Sequence, residues 1–322
     1  MRRMAALLVA LCLLLSGCAR QEPLSKSGFA LDTAITITLY HGGNAALLED
    51  CFARIRQYER MFSRTIADSD IGRLNAAGGE PVPISPDTAA LLRLGLDYAV
   101  LSDGAFDMTI APASSLWHFS TEHPAIPSDE ELAAALSSVG YVGLTVSDDS
   151  ARLASPQMAV DPGGIAKGYI ADRLAGELRA AGVDSALIDL GGNIYALGQK
   201  DGADWTVGIR DPADVQALAA VVPVADCAVV TSGSYERFFE LDGVRYHHIL
   251  DPATGYPVQN ELASVTIISA EAAAGDALST ACFVLGQEQG LELVESLDGV
   301  EALFISKDGR LTASSGLRYS VR

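Results

Sequence analysis

Asp276 and Thr280 form the first pair of residues whose types and spacing suggest chemistry. They stand four positions apart in a segment with helical character, which places both side chains on one helix face. A carboxylate and a hydroxyl are hard oxygen ligands that Mg²⁺ accepts when water and a substrate phosphate complete its shell. The two residues could equally be an acidic residue near a helix N-terminus and a buried threonine with no part in chemistry. Their spacing alone therefore does not identify a metal site.

A second segment, Asp161-Pro-Gly-Gly-Ile-Ala-Lys-Gly168, places two glycines and a lysine at the start of a predicted helix. Glycines allow a ligand to approach the main chain closely, and a helix N-terminus attracts an anion. Lys167 adds a positive charge. The spacing matches neither GxxxxGK[ST] nor GxGxxG, so it indicates an anion site without naming a nucleotide, and a plain turn before a helix would look similar.

A third segment, Arg245-Tyr-His-His-Ile-Leu-Asp-Pro-Ala-Thr-Gly255, carries two adjacent histidines on a predicted strand. Successive strand residues point to opposite faces, so only one of His247 and His248 can face a site. No HxH or HExxH pattern supports a zinc site. Shorter pieces that could each be only a turn are SDGAFDMT (102–109), LGGN (190–193) and TSGSYER (231–237).

The elements that must position these segments mix helices and strands without a regular βαβ order. Hydrophobic periodicity predicts helices at 44–62, 88–101, 128–138, 165–181, 275–285 and 289–297. It predicts strands at 34–40, 186–190, 205–209, 219–222, 228–230, 245–250, 264–268 and 300–305. This order favours an α+β fold, with mixed sheets and packed helices in a single domain of two lobes.

The start of the chain has the features of an export signal. Arg2 and Arg3 precede an apolar run of about twelve residues, which is too short for a membrane span. The run ends in Leu-Ser-Gly-Cys18, a lipobox, so we expect residues 1–17 to be a signal peptide and the Cys18 thiol to carry lipid. Residues 18–27 would be a polar tether at the extracytoplasmic face of the cell membrane. An ordinary signal peptide with a chance cysteine is the alternative.

Composition narrows the class of protein further. A formal charge of −19 argues against nucleic-acid binding, and 49% hydrophobic residues suit a globular fold. Beyond the start of the chain only Cys51, Cys227 and Cys282 remain, and they form neither a disulfide framework nor a CxxC metal site. We expect all three to be buried thiols.

Together these segments resemble the ApbE family, the FAD:protein FMN transferases. The resemblance covers nearly all of the chain from Phe29 onward and gives residues 28–322 as the FMN transferase domain. It is carried, in order, by LDTAITITLY, FSRTIADSDIGRLN, DGAFDMTIAP, LWHF, DPGGIAKGY, DLGGNIYALG, WTVGIRDP, VVTSGSYERFF, RYHHILDPATGYP and GDALSTACFVLG.

The resemblance implies an enzyme that takes FAD as substrate with Mg²⁺, transfers FMN to a threonine or serine hydroxyl of an acceptor protein and releases AMP. Some members instead hydrolyse FAD to FMN and AMP. The acceptors would be exported subunits of flavin-dependent electron-transfer systems. A lipid-anchored, non-catalytic flavin-binding protein is the other functional class, and it would need neither a base nor a metal.

The resemblance also implies the site residues. Metal ligands are expected at the main-chain carbonyl of Gly164 and at Asp276 and Thr280. Some members have a further carboxylate just before that threonine, where this chain has Ser279. Leu31 belongs to an LDT sequence where many members have Met-Gly-Thr. Flavin contacts are implied at Leu31, Thr65, Ala105, Phe106, Asp107, Asp161, Lys167 and Leu250.

The implied reaction assigns roles to these residues. Phosphoryl transfer depends mainly on positioning and on neutralising charge, which Mg²⁺ and Lys167 would provide. The acceptor hydroxyl must lose a proton, and either His248 or Asp276 would take it. A metal-bound aspartate is a poor base on its own, so His248 is favoured.

Overall fold

The computed structural model describes residues 22–119 and 124–322. The predicted signal peptide and Cys18 lie outside these ranges. The strands are β1 (Leu24–Ala30), β2 (Thr33–His41), β3 (Val82–Pro83), β4 (Leu144–Val146), β5 (Ser150–Leu153), β6 (Ser185–Leu190), β7 (Asn193–Gly198), β8 (Trp205–Arg210), β9 (Leu218–Val224), β10 (Cys227–Gly233), β11 (Phe238–Leu241), β12 (Val244–His247), β13 (Leu262–Ser269), β14 (Glu301–Ser306), β15 (Leu311–Ala313) and β16 (Ser320–Val321). The helices are α1 (Ala45–Phe62), α2 (Asp70–Ala76), α3 (Pro86–Leu101), α4 (Ala111–Ser114), α5 (Asp129–Leu136), α6 (Ala166–Ala180) and α7 (Ala272–Glu295), with a 3₁₀ turn at Tyr141–Gly143.

An eight-stranded antiparallel sheet forms the centre of the fold, in the order β1-β2-β6-β7-β10-β13-β14-β15. Alternate residues of its strands face different cores, because side chains alternate along a strand. Ala228 and Val230 of β10 join the core beneath α6 and α7, whereas Val229 joins the core shared with β8 and β9. The predicted α+β fold is therefore confirmed, with helices on one face of the sheet and a small sheet on the other.

The first strand corrects the predicted tether. Residues 24–27 belong to β1, which pairs with β2 from Leu24 opposite Leu39 to Ala30 opposite Thr33. Ser25 and Ser27 look like linker residues in the sequence. Both instead form cross-strand hydrogen bonds of 2.9 Å, with Thr38 and Thr36 respectively. Polar side chains on the solvent face of an edge strand explain why the periodicity missed it.

Two predicted boundaries differ from the structure. The strand predicted over 245–250 ends at His247, because residues 249–258 fold back on themselves through a bond from the Val258 N–H to the Ile249 carbonyl (3.0 Å). The two helices predicted at 275–285 and 289–297 are present as the two parts of α7, separated by a kink at Gly286 (φ 81°, ψ 177°), but the first begins earlier, at Ala272. The helix predicted at 128–138 is present as α5, and a capping box of Ser128 and Glu131 begins it.

Helices α6 and α7 approach each other closely at their first turns. A Cβ added to Gly168 would stand 2.2 Å from the Ala272 carbonyl oxygen, so only glycine fits there. Asp172 of α6 caps α7 by accepting the N–H groups of Ala272 (2.7 Å) and Ala273 (2.9 Å). Burial raises the pKa of this carboxyl to about 6. This contact fixes where the next turn of α7 presents its side chains.

Candidate active site

Asp276 lies at the junction of α6 and α7, where its side chain is buried. Its Oδ2 accepts the main-chain N–H of Gly168 at 3.0 Å. Its Oδ1 lies 3.8 Å from Nζ of Lys167. One oxygen is therefore held by the fold, while the other faces a cation at the start of α6.

Gly164 and Thr280 meet beside this carboxylate. A Cβ built on Gly164 would lie 3.1 Å from the Phe106 ring and 3.6 Å from Oγ1 of Thr280. The Thr280 hydroxyl donates to the Asp276 carbonyl (3.3 Å) and also lies 3.3 Å from the Ser232 hydroxyl. The structure thus brings two segments that are distant in the sequence together. Gly164 and Lys167 belong to the first segment, and Asp276 and Thr280 to the second.

Ser279 stands where the family resemblance suggested a further carboxylate. It is fully buried, donates to the Asp276 carbonyl (3.0 Å) and lies 2.8 Å from the Ser232 hydroxyl. Its hydroxyl is therefore used in packing α7 against β10. In this chain Ser279 stabilises the helix that carries the site.

The donor set of this site suits a hard dication. Among residues 22–119 and 124–322 no cluster of three or more His, Cys, Asp and Glu side chains could hold a metal. The oxygens gathered here are one carboxylate, one hydroxyl and a main-chain segment at a glycine that leaves space beside Thr280. A magnesium ion that also binds substrate phosphates needs few protein ligands, and these are of the right kind.

The two histidines occupy different environments, as the strand alternation predicts. His247 is buried against Phe283, with ring centroids 5.4 Å apart. Its Nδ1 accepts the Ile249 N–H (3.3 Å), so its Nε2 carries the proton and donates to the Val258 carbonyl (2.9 Å). Both ring nitrogens are thereby used within the core.

His248 lies on the other face of the strand. Its main-chain N–H donates to the Arg237 carbonyl (3.0 Å), and its Nδ1 is buried without a hydrogen-bond partner in the described chain. Burial, followed by the charges of Arg237, His247 and Lys167, lowers the pKa of His248 to about 3. The imidazole is therefore neutral at physiological pH. The positive charge of Lys167 contributes to this lowering of the pKa.

Asp161 and Thr65 are two of the implied flavin contacts, and Arg64 lies close to both of them. Asp161 pairs with Arg64 (Nε to Oδ2, 3.3 Å) and accepts the Gly163 N–H (3.0 Å). Arg64 and Thr65 line a cavity of about 330 Å³. Its other walls are formed by Asn75, Ala111, Ser114, Ser115, Trp117, His118 and Ala159.

Leu31 and Leu250 lie in different hydrophobic clusters. Leu31 stands in the β1–β2 turn with a left-handed backbone (φ 55°), and its N–H donates to Glu59 in the last part of α1 (2.8 Å). Leu250 is buried in an aromatic cluster with Trp117, Phe239 and Leu132. Phe239 of this cluster belongs to the β11–β12 hairpin, and strand alternation places His248 on the same face of that hairpin as Phe239.

Asp107 has a structural task that the sequence did not reveal. Its Oδ1 accepts the N–H and hydroxyl of Thr109 (2.7 Å each), and its Oδ2 accepts the Tyr141 N–H (2.8 Å). Burial raises its pKa despite these bonds. The carboxylate thus fixes the loop that presents Ala105 and Phe106.

Several residues of the site were not predicted. Glu236 and Arg237 belong to the segment 231–237, whose sequence is equally typical of a turn, and the bond from the His248 N–H to the Arg237 carbonyl shows that this segment adjoins the site. The pKa of the Glu236 carboxyl is raised by burial, against the opposing charges of Lys167 and Arg237. Arg64 was missed because its partner Asp161 is far away in sequence.

Comparison with known proteins shows which family the chain resembles over most of its length. The family model described as "ApbE family" matches residues 31–304. An FAD:protein FMN transferase of Treponema pallidum is 41% identical over 328 aligned residues, covering 95% of this chain and 91% of that protein. One of Klebsiella pneumoniae is 38% identical and covers 92% and 94%.

Two solved structures superpose on most of the chain. The ApbE protein of Thermotoga maritima superposes with a TM-score of 0.85 at 32% identity, covering 91% of this chain and 97% of that one. The flavin transferase ApbE of Vibrio cholerae gives 0.83 at 30% identity, with the same coverage.

Proposed function

This chain belongs to the ApbE family, and we propose that it transfers FMN from FAD to a threonine or serine hydroxyl of an acceptor protein, with Mg²⁺ required and AMP released. The observation that supports this most is the convergence of Gly164, Lys167, Asp276 and Thr280 at the α6–α7 junction. A flavin-binding protein has no need of such a set. Pyrophosphate chemistry does need it, because charge must be neutralised on the phosphates.

The metal would be held by the Gly164 carbonyl, Asp276 and Thr280. Bound there, Mg²⁺ would neutralise charge on the pyrophosphate of FAD. Lys167 contributes a second positive charge from the first turn of α6, where the helix N-terminus also favours an anion. The Gly168 N–H keeps the Asp276 carboxylate oriented, which limits reorganisation during the reaction.

His248 is the proposed base. Burial keeps the ring unprotonated at neutral pH, so its lone pair is available to the proton of the attacking hydroxyl. The same burial weakens the imidazole as a base, so the role requires that the anionic pyrophosphate of bound FAD stabilise the imidazolium that forms. The buried Nδ1 lacks a partner, and no described group competes for it. Asp276 is the less suitable base, because one of its oxygens is bonded to Gly168 and the other faces Lys167.

The reaction is tested by incubating the enzyme with FAD and Mg²⁺, with and without a candidate acceptor, and measuring AMP and FMN by chromatography. The proposal expects AMP in excess of free FMN when acceptor is present. Equal amounts of AMP and free FMN under both conditions would identify an FAD pyrophosphatase. Absence of AMP would identify a flavin-binding protein.

We also propose that the protein is anchored by lipid at Cys18, on the extracytoplasmic face of the membrane. The support is the short apolar run ending in Leu-Ser-Gly-Cys18. Along the described chain, no helix combines the length and apolarity needed to cross a bilayer. Acceptors would then be exported subunits of flavin-dependent electron-transfer systems.

Replacing the lipid-bearing cysteine tests the anchor. A Cys18→Ala variant is expected to move from the membrane fraction to the soluble fraction, because no thiol remains to be acylated. Cell fractionation and intact mass of the purified protein measure this. A variant that stayed with the membrane at an unchanged lipid mass would refute the anchor.

A further inference from the structure

Arg237 stands directly across the β11–β12 hairpin from His248. Phe238 pairs with His247, and the next step of the ladder is the bond from the His248 N–H to the Arg237 carbonyl (3.0 Å). Residues opposite each other in an antiparallel pair share a face. The guanidinium and the imidazole therefore project from the same side of the hairpin.

The Arg237 side chain is exposed and makes no hydrogen bond or ion pair with any residue in the described ranges. Arg245, on the same hairpin, behaves differently: it lies 4.1 Å over the Phe238 ring and bonds Glu240 at 2.9 Å. Arg245 thus stabilises the hairpin, whereas Arg237 does not. This guanidinium is unpaired within the described chain and is therefore free to bind a ligand anion, which the chain's net charge of −19 would otherwise repel.

The charge of Arg237 shifts the pKa of groups at the site of the proposed reaction. It lowers the pKa of His248, together with the charges of His247 and Lys167, and opposes the raised pKa of Glu236. Asp276 also acts on Glu236. The geometric link between Arg237 and the proposed site is its cross-strand position beside His248, and the charge effects of Lys167 and Asp276 on His248 and Glu236 agree with it.

We propose that Arg237 is a catalytic residue whose guanidinium donates to the non-bridging oxygens of the FAD phosphate under attack. This rests on the proposed function. The acceptor oxygen that loses its proton to His248 is the atom that bonds to the attacked phosphorus, so a guanidinium on the same hairpin face as His248 is on the side of that phosphate. A planar guanidinium suits bidentate contact with phosphate oxygens.

The step conserves atoms and charge without a proton from Arg237. The acceptor O–H gives its proton to His248 and its oxygen forms a bond to the FMN phosphorus. The bond from that phosphorus to the bridging oxygen breaks, and AMP leaves with the electron pair. Arg237 stabilises the negative charge on the phosphoryl oxygens while these bonds exchange.

The test compares Arg237→Gln, Arg237→Lys and the matched control Arg245→Gln, each measured for kcat, KM and FAD dissociation constant. Arg237→Gln is expected to lower kcat by about 10²–10³-fold, with FAD affinity changed only a few-fold, because the contact strengthens as charge develops. Arg237→Lys should recover part of the loss. Arg245→Gln should retain its rate.

Several results would overturn the role of Arg237. They are a wild-type kcat in Arg237→Gln, a loss confined to FAD affinity, or an equal loss in Arg245→Gln. Melting temperatures of the three variants identify any loss caused by unfolding, and activity is then expressed per folded molecule. If the wild-type enzyme itself released no AMP from FAD, the proposed function would fail. If the wild type were active and Arg237→Gln had the same kcat, only the role of Arg237 would fail.

Discussion

Asp276→Ala is expected to abolish FAD turnover while leaving the protein folded. The carboxylate is the only negatively charged member of the proposed metal set, so its removal takes away the strongest ligand. It also leaves the Gly168 N–H without its acceptor, at a cost of about 1–3 kcal/mol of stability. Asp276→Asn can keep that hydrogen bond and should be equally inactive. Turnover, circular dichroism and thermal melting measure these effects.

The neighbouring residue provides the control for this prediction. Ser279→Ala removes a hydroxyl on the same helix turn that bonds Ser232 and a main-chain carbonyl. It should cost about 1 kcal/mol of stability and retain turnover. Turnover that persisted in Asp276→Ala, or in the wild type with excess chelator, would contradict the role of magnesium.

His248→Ala is expected to lower the rate of FMN transfer by about 10²–10⁴-fold, the contribution typical of a general base. Its pKa of about 3 means that the base is already unprotonated at neutral pH. The rate should therefore decline only as pH falls toward that value, well below the ordinary histidine pKa of about 6.5. Profiles of kcat/KM against pH for both proteins measure this, and the acid limb should vanish in the variant.

His247→Ala is the matched control, because it removes the adjacent ring from the other face. The variant leaves the Val258 carbonyl and Ile249 N–H unpaired and opens space beside Phe283. We expect a loss of about 2–4 kcal/mol of stability, with turnover per folded molecule little changed. A greater loss of turnover in His247→Ala than in His248→Ala, or full rate in His248→Ala, would point to Asp276 as the base.

The residues that share one element could be predicted from the sequence. Asp276 and Thr280 lie one helical turn apart, and His247 and His248 alternate, so local periodicity alone places them. The predicted end of β12 at residue 250 was wrong, because hydrophobic periodicity carries no information about the turn formed by residues 249–258. The sequence also indicated an anion site at Gly164 and Lys167, but only the resemblance to a family connected these residues with Asp276, because no spacing does.

Contacts between distant elements were beyond the sequence. The close approach at Gly168 depends on the Ala272 carbonyl, about a hundred residues later in the chain, and the Asp161–Arg64 pair spans a similar distance. Arg237 looked like part of a turn until the register of β11 and β12 placed it opposite His248. Such pairs depend on tertiary packing, which side-chain type and spacing do not encode locally.

Intact mass spectrometry of an acceptor protein tests the central claim most directly. The enzyme, FAD and Mg²⁺ are incubated with a recombinant exported subunit of a flavin-dependent electron-transfer system, and with the same subunit carrying alanine at its modified hydroxyl. The account predicts that the first protein gains the mass of FMN less one water, with one AMP released per modification, and that the second stays unchanged. An unmodified acceptor beside stoichiometric free FMN and AMP would contradict it.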